Sequence, residues 1–274
     1  MKPNLLIAES LTPDGQKLSL HERDGRFAIR VGGRELMNSA VPTSELLLGE
    51  LGLGGVRSPK TILIGGLGLG FTLRRVLELA APDAEITVVE LIPAIVEWNR
   101  TFLKVLNGDC LADPRVILKT QSVRTFIGCS SPEHYDAVIL DVDNGPAAMV
   151  SEDNTKLYSE RGLGRLLRML TRGGRMCVWS AGIDIRFTAR MERAGFITET
   201  VRAKTHKGAH SSLYAIFVGD KSPATGGAVA VDAVAPAGPL VRNPNAVESH
   251  PRAVSKKAQG VREKKVYRPG QARR

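Results

Sequence analysis

The chain has 274 residues, of which 43% are apolar, with 38 basic and 28 acidic side chains and a net charge of +10. This length suffices for one large domain, or for a large and a small one, with a sizeable core. No apolar run reaches the roughly 20 residues of a membrane span, and the start lacks the apolar stretch of a secretion signal. The three cysteines show no C-x-x-C spacing, which excludes a disulfide framework and a cysteine-type zinc site. We therefore expect a cytoplasmic protein.

The first 42 residues predict a small antiparallel β-domain. Asp24-Gly25 and Gly32-Gly33 separate short runs in which apolar and polar side chains alternate, and Pro13-Asp14-Gly15 precedes the first of these runs. Such dipeptides favour hairpin turns because the turn positions need positive φ. We expect three or four strands in this segment.

A helix at 44–51, with Thr43 or Ser44 as its N-cap, opens the second predicted domain, which spans 43–220. From residue 60 onward, short apolar strands alternate with amphipathic helices. Strands are predicted at 61–64, 86–90, 116–118, 137–140, 175–179, 196–201 and 213–218. Helices are predicted after residue 70, from Pro93, and at 122–128, 159–171 and 184–194. Since this alternation builds parallel sheets, we expect an α/β domain with a Rossmann-like doubly wound sheet that ends in an antiparallel hairpin.

Residues 221–274 carry most of the net charge. They hold 11 basic and 3 acidic side chains, a charge of +8, whereas the remaining 220 residues carry only +2. The segment is rich in Ala, Pro, Gly and Val and shows no sustained period, which predicts a disordered tail. Its charge suits contact with nucleic acid or an acidic partner, and a solvated extension with no partner is the alternative.

A glycine-rich turn follows the first strand of the second domain, at the edge of the sheet where ligands of open parallel sheets bind. Gly65, Gly66, Gly68 and Gly70 lie in this turn and precede a predicted helix. Glycines allow a ligand to approach the backbone closely, and a helix N-terminus offers free N–H groups, so these residues are predicted to bind a cofactor. A tight turn without a ligand is the alternative.

Glu90 ends the next strand, about 20 residues after the glycine-rich turn. An acidic residue at this place accepts hydrogen bonds from a ribose diol, so the pair indicates an adenosyl nucleotide. The predicted antiparallel last pair of strands argues against a dinucleotide, because it is the layout of class I S-adenosylmethionine-dependent transferases. The alternative is a surface glutamate at a strand end.

Asp141, Asp143 and Asn144 follow the strand at 137–140. Two carboxylates and an amide that face a pocket can hold a cationic amine and accept its proton, which an amine with a pKa of about 10 must lose before it attacks carbon. We predict Asp141 and Asp143 as catalytic residues and Asn144 as a substrate-binding residue, with no metal. In the alternative, Asp143 and Asn144 only shape the turn before Gly145.

Several segments resemble the spermidine synthase (polyamine aminopropyltransferase) family over residues 15–220. The strongest similarities are Ile64-Gly65-Gly66 with the helix that follows, Val88-Val89-Glu90, Asp113-Pro114-Arg115-Val116, the segment 135–141, and Leu157-Tyr158. The resemblance implies transfer of an aminopropyl group from decarboxylated S-adenosylmethionine to an amine such as putrescine, and assembly as a homodimer. It also implies site roles: Glu90 holds the ribose, Asp141 handles the amine, Ser122 stands at the adenine-binding position, and Glu45 fits an acidic position of the substrate site.

The chain departs from the family pattern in the glycine-rich turn, where Leu67-Gly68-Leu69 replaces a segment that carries an Asp near the aminopropyl nitrogen. A second hypothesis is therefore a small-molecule methyltransferase that uses ordinary S-adenosylmethionine, because a nearby Asp would repel the methionine carboxylate of that donor. A third is a non-catalytic nucleotide- or RNA-associated protein anchored by its tail. Deletion of 221–274 separates this third hypothesis from the two catalytic ones, because a binding role should be lost and a catalytic role should survive.

Overall fold

The computed structural model describes residues 3–142, 152–203 and 214–223, all of which fall within the unit Met1–Gly226. These residues form two β-sheets and the helices that pack on them. Two of the predicted site residues, Asp143 and Asn144, lie outside the described residues, as does the chain from residue 224 to its end.

The first sheet is antiparallel throughout and has four strands in the order β1-β2-β3-β4. The strands are β1 (Leu5–Leu11), β2 (Lys17–Arg23), β3 (Arg26–Val31) and β4 (Arg34–Asn38). Asp24 and Gly25 form the two-residue turn between β2 and β3 with φ of 51° and 74°. Leu18, Leu20 and Ile29 are fully buried on one face. The predicted antiparallel sheet is confirmed.

Helix α1 (Thr43–Leu53) follows the first sheet. The prediction of its N-cap was wrong, because the cap is Pro42, whose carbonyl accepts the first helical hydrogen bond. Ser44 already lies inside the helix, and its hydroxyl donates to Oε2 of Glu45 (2.6 Å) instead of capping the backbone. The helix therefore begins one residue earlier than a side-chain cap would place it.

The second sheet has seven strands in the order β10-β11-β9-β8-β5-β6-β7. They are β5 (Thr61–Gly65), β6 (Glu85–Glu90), β7 (Val116–Thr120), β8 (Tyr135–Leu140), β9 (Leu170–Ser180), β10 (Phe196–Ala203) and β11 (Tyr214–Lys221). Strands β5 to β9 run parallel, whereas β11 is antiparallel to both of its neighbours. The Rossmann-like doubly wound sheet with an antiparallel last pair is thus confirmed. The strand order reverses between β5 and β8, which is where such sheets bind ligands.

The helices lie at or near their predicted positions, with two differences. They are α2 (Phe71–Leu79), α3 (Pro93–Arg100), α4 (Lys104–Asn107), α5 (Val123–Cys129), α6 (Glu152–Leu157), α7 (Glu160–Met169) and α8 (Ile185–Ala194), with a 3₁₀ turn at Cys110–Ala112. The short helices α4 and α6 were not predicted. The helix predicted at 159–171 ends at Met169, because Leu170 is fully buried and pairs with Tyr135 as the first residue of β9.

The last strand extends one residue into the segment predicted to be the tail. Lys221 pairs with Phe196 of β10, and its Nζ donates to the carbonyl of Leu170 (2.7 Å). The side chain is therefore held on the sheet by a hydrogen bond that composition alone did not indicate.

Apolar side chains cover both faces of the seven-stranded sheet. One buried cluster joins the first sheet, α1, α2 and α3 to one face, and a second joins α5, α7 and α8 to the other. Helix α1 lies directly on the sheet because Gly52 has no side chain, and a Cβ there would lie 2.5 Å from Ile139. The first of these clusters also contains Leu67 and Leu69 of the glycine-rich turn, so the turn and the first sheet share one core.

No helix among residues 3–142, 152–203 and 214–223 is both long and apolar enough to traverse a lipid bilayer. Within the part of the chain that the structure describes, no three His, Cys, Asp or Glu side chains group closely enough to hold a metal ion.

Candidate active site

The candidate site lies where β5 and β8 end side by side, at the point of reversed strand order. The Asp141 amide donates to the Gly65 carbonyl (2.8 Å), which joins the two strand ends. Gly66 follows with φ of 92°, and a Cβ there would overlap the Asp141 carbonyl oxygen. Only glycine fits at this position, since both the backbone angle and the close approach exclude a side chain. The glycine-rich turn therefore packs closely against the backbone of Asp141, the residue directly after β8.

The side chains of the glycine-rich turn point into the core. Leu67 and Leu69 are buried, at 5% and 4% exposure, in the cluster that includes Leu18 and Leu20 of the first sheet. A Cβ at Gly68 would lie 3.0 Å from Sδ of Met37 on β4. The turn is thus packed beneath the first sheet, and the two leucines leave it without a carboxylate.

The remaining predicted glycines also face other parts of the protein. A Cβ at Gly65 would lie 2.9 Å from the Leu140 side chain and 3.1 Å from that of Val123. Gly70 is the residue before α2, with φ of 85°, and faces two buried asparagines. All four predicted glycines thus give room to neighbouring protein atoms.

Glu90 is buried at the end of β6 and bonds to the glycine-rich turn. Its Oε2 accepts from the Leu67 amide (2.9 Å), and its Oε1 accepts from the Ile92 amide (2.8 Å). Burial raises the pKa of Glu90, whereas these amide donors act in the opposite direction. The carboxylate therefore ties the end of β6 to the turn after β5.

Asp141 lies beside the start of α2, where its Oδ2 accepts from the Thr72 hydroxyl (3.1 Å). Burial raises its pKa to about 7, and the nearby carboxylates of Glu45 and Glu90 act in the same direction, while the Thr72 hydroxyl opposes them. A carboxyl group with this pKa exchanges protons near neutral pH, which is the property that a catalytic acid or base needs.

Glu45, in the first turn of α1, is brought to the same place. Its side chain is half-buried, and burial raises its pKa against the opposing hydrogen bond from Ser44. The Thr72 hydroxyl, which bonds Asp141, also lies 3.4 Å from the Glu45 carbonyl. Thr72 thus links the backbone of Glu45 in α1 to the carboxylate of Asp141, directly after β8, and the charge of Glu45 is near enough to raise the pKa of Asp141. Thr72 was not singled out in the sequence, although it stands in the first turn after a predicted ligand-binding loop.

Ser122 is the residue before α5 and makes no side-chain capping bond. The neighbouring Gln121 amide donates to the Glu90 carbonyl (2.9 Å), so the end of β7 is joined to the end of β6. The structure thus places Ser122 at the same edge of the sheet as Glu90 and Asp141, one strand further out.

Trp179 lies near the end of β9, one residue beyond the pairing of Leu140 with Val178. The indole stacks against Tyr214 with ring centroids 5.1 Å apart, and its buried Nε1 has no hydrogen-bond partner among the described residues. The indole therefore lies at the carboxyl end of the strand next to β8.

A sheet of this order, with a glycine-rich turn after β5 and acidic residues ending β6 and following β8, has the fold of Rossmann-like transferases. The spermine/spermidine synthase domain profile matches residues 43–188, more than half of the chain. The chain therefore belongs to the spermine/spermidine synthase domain family.

Individual relatives match a shorter part of the chain. Putrescine N-methyltransferase 2 of Nicotiana attenuata is 35% identical over 112 residues, which are 40% of this chain and 29% of that protein. A polyamine aminopropyltransferase of Corynebacterium efficiens is 35% identical over 126 residues, which are 45% of this chain and 23% of that protein. The chain thus matches less than a third of the length of either relative.

Solved structures share the fold. The crystal structure of spermidine synthase from Thermotoga maritima has a TM-score of 0.65 and 18% identity, and the match covers 79% of this chain and 73% of that chain. At this identity the likeness concerns the fold, including the small first sheet and the mixed seven-stranded sheet.

Proposed function

We propose that this protein transfers an aminopropyl group from decarboxylated S-adenosylmethionine to an amine of the putrescine type. The observation that carries the proposal is the position of Asp141 beside the glycine-rich turn, bonded to Thr72 and within the electrostatic influence of Glu45, with its pKa raised to about 7. Family membership and the aminopropyltransferase relative support the same reaction.

In the proposed mechanism, the ammonium group of the acceptor gives a proton to Asp141, since an amine must be neutral to attack carbon. The nitrogen lone pair then forms a bond to the carbon beside the sulfonium sulfur of the donor. The carbon–sulfur bond breaks, and its electron pair stays on sulfur as a neutral thioether. Proton transfer from the ammonium group of the acceptor is less unfavourable when the receiving carboxylate has a raised pKa than when it is an ordinary Asp. The Glu45 carboxylate adds negative charge that attracts the cationic amine.

For the donor, we propose that the ribose binds Glu90 and the adenine lies near Ser122. The Glu90 oxygens already accept backbone N–H groups, and a carboxylate oxygen can accept more than one hydrogen bond. Asp143 and Asn144 stay in the proposal as further amine-binding residues, and they lie two and three residues after Asp141 in the chain.

N-methylation of the amine is the second candidate, and one observation favours it. Leu67 and Leu69 are buried, so the turn presents no carboxylate to the cationic end of an aminopropyl donor. A donor that keeps its methionine carboxylate tolerates such a turn better. The 35% identical putrescine N-methyltransferase of Nicotiana attenuata agrees with this alternative.

One experiment separates the two reactions. The full chain is incubated with putrescine and either decarboxylated or ordinary S-adenosylmethionine, and the products are identified by mass spectrometry, with the Asp141→Asn variant as a control. Methylthioadenosine together with spermidine would establish aminopropyl transfer. S-adenosylhomocysteine together with a methylated amine would establish the methyltransferase. Neither product from either donor would contradict both candidates and favour the binding role.

A further inference from the structure

Two asparagines lie behind the glycine-rich turn, and neither was singled out in the sequence. Asn99 is in the last turn of α3, and Asn107 ends α4; they are only 2% and 3% exposed. Buried amides need partners, because an unpaired polar group loses its bonds to water without compensation. Their partners therefore indicate what these residues do.

Both amides bond to the turn through their nitrogen atoms. Nδ2 of Asn99 donates to the carbonyls of Gly68 (2.9 Å) and Ile95 (2.9 Å). Nδ2 of Asn107 donates to the Leu69 carbonyl (3.2 Å) and to Oδ1 of Asn99 (2.6 Å). Because only the NH₂ end of an amide donates, the carbonyl partners determine which way each side chain faces. Oδ1 of Asn107 has no hydrogen-bond partner among the described residues, which is the cost of this orientation.

Gly70 makes room for the pair. A Cβ on this residue would lie 2.5 Å from Nδ2 of Asn107 and 2.8 Å from Oδ1 of Asn99. Gly70, which was predicted to leave space for a ligand, thus leaves space for the two asparagine side chains. The turn and the asparagines form one packed unit.

We propose that Asn99 and Asn107 are positioning residues that hold the glycine-rich turn in its donor-binding shape. A trans peptide is planar, with its N–H opposite its C=O, so fixing the Gly68 carbonyl directs the Leu69 N–H to the opposite side of the turn. Fixing the Leu69 carbonyl in the same way orients the Gly70 N–H, which closes the turn on the Leu67 carbonyl (2.9 Å). The identity of the ligand in this inference rests on the proposed function.

The test compares two Asn107 variants with a packing control in the full chain. Asn107→Asp keeps the shape but replaces the donor with an acceptor, and Asn107→Ala removes the donor without adding a buried charge that could prevent folding. Cys110→Ala removes a buried side chain of the adjoining 3₁₀ turn that makes no hydrogen bond to residues 65–70 in the described structure. Amide hydrogen exchange of the ligand-free proteins and binding of decarboxylated S-adenosylmethionine by calorimetry are then measured.

We expect exchange of the amides at 66–73 to become roughly tenfold faster in both Asn107 variants, relative to the amides of β8 in the same protein, as loss of one buried hydrogen bond implies. The dissociation constant of the donor should rise by a similar factor, with the KM for putrescine unchanged, whereas Cys110→Ala lowers thermal stability without either effect. Unchanged exchange at 66–73, or equal acceleration in Cys110→Ala, would overturn the inference. Failure of the wild-type chain to bind the donor would instead count against the proposed function, and the exchange result would still decide whether the asparagines hold the turn.

Discussion

The chemistry of the candidate site depends on where one carboxyl group lies. Asp141 has the sequence context of an ordinary strand-end aspartate, yet burial and the neighbouring charge of Glu45 raise its pKa to about 7. The Thr72 hydroxyl holds the carboxylate in place at 3.1 Å. A group so placed can bind a cationic amine when ionised and can accept a proton near neutral pH.

Replacement of this group should stop the reaction without unfolding the protein. We expect Asp141→Asn to lower turnover by roughly 10²–10⁴-fold, because the amide can neither accept the proton nor attract the ammonium group. Turnover at saturating donor is the measurement, and the exposed Asp109→Asn variant is the matched control. Turnover within a few-fold of wild type would remove Asp141 from the mechanism.

The raised pKa of Asp141 also predicts opposite effects of pH on activity and stability. Activity should rise as pH increases through about 7, since the ionised carboxylate is the active form. The folded state holds this proton to a higher pH than the unfolded state does, so the stabilisation it provides is complete below the ordinary Asp value and is lost as pH rises through about 7. Asp141→Asn should therefore be more stable than wild type at pH 8, on the order of 2 kcal/mol after allowance for partial exposure, and equal to it at pH 4. Urea unfolding at the two pH values would show the difference, and an equal effect at both would contradict it.

Glu90 combines a structural contact with its proposed ligand contact. Glu90→Gln replaces one acceptor oxygen with an NH₂ group that cannot bond to the Leu67 or Ile92 amide, so the turn and the ribose lose a partner together. We expect the dissociation constant of decarboxylated S-adenosylmethionine to rise by roughly 10–100-fold. Calorimetry with Glu85→Gln, at the exposed start of the same strand, provides the comparison. An unchanged constant would exclude Glu90 as the ribose-binding residue.

At the scale of elements, Arg115 stabilises the helix that follows the glycine-rich turn. Its guanidinium forms a bidentate ion pair with Asp113, with 2.9 Å for each hydrogen bond. It also donates to the carbonyls of Leu77 (3.1 Å) and Ala80 (3.3 Å) at the end of α2. The Asp-Pro-Arg-Val similarity to the family thus corresponds to a tie between α2 and the start of β7. It supports the site from a distance and does not contact it.

Arg115→Met should therefore destabilise the fold. The variant keeps most of the apolar stem but leaves Asp113 and the helix carbonyls without their donor, for an expected loss of roughly 1–3 kcal/mol. Urea unfolding measures the loss, with Arg100→Met at the exposed end of α3 as the control. Equal stability of the two variants would show that the bonds of Arg115 contribute nothing net.

At the scale of the molecule, the composition of residues 221–274 predicts a disordered tail outside the core. The clusters on both faces of the large sheet use only residues up to Val218. Deletion of 224–274 should therefore leave the melting temperature and turnover unchanged, while any affinity for nucleic acid should fall and lose its dependence on salt. Circular dichroism, the product assay and a titration with RNA at two salt concentrations would measure these properties. Loss of turnover on deletion would instead give the tail a part in the reaction.

The small first sheet belongs to the same core as the site. Met37 of β4 packs against Gly68, and Leu18 and Leu20 share the buried cluster of Leu67 and Leu69. The sequence predicted this sheet from its turns but not its contact with the glycine-rich turn. Strand alternation reports which face of a sheet is buried and not which element covers that face.

The predictions that succeeded depend on local physics. Period, turn dipeptides and a proline at a helix start are properties of neighbouring residues, so the two sheets, most helices and the positions of Glu90 and Asp141 at the carboxyl edge could be predicted. The start of β9 was mispredicted because Leu170 is fixed by its pairing with Tyr135, a tertiary contact that overrides local helical preference. The N-cap of α1 was mispredicted for a local reason, since the Ser44 hydroxyl bonds to the adjacent Glu45 instead of capping the backbone.

The sequence by itself determined the order of strands and helices, the glycine-rich turn and the family, because each is encoded in residues adjacent along the chain. Only the tertiary structure decided that the charge of Glu45 acts on Asp141, that Glu90 bonds to the turn, and that Asn99 and Asn107 support it from behind. These pairs lie far apart in sequence, and a pKa or a hydrogen bond depends on what surrounds a group in space. The chemistry of the site therefore arises from burial and contacts that no local pattern records.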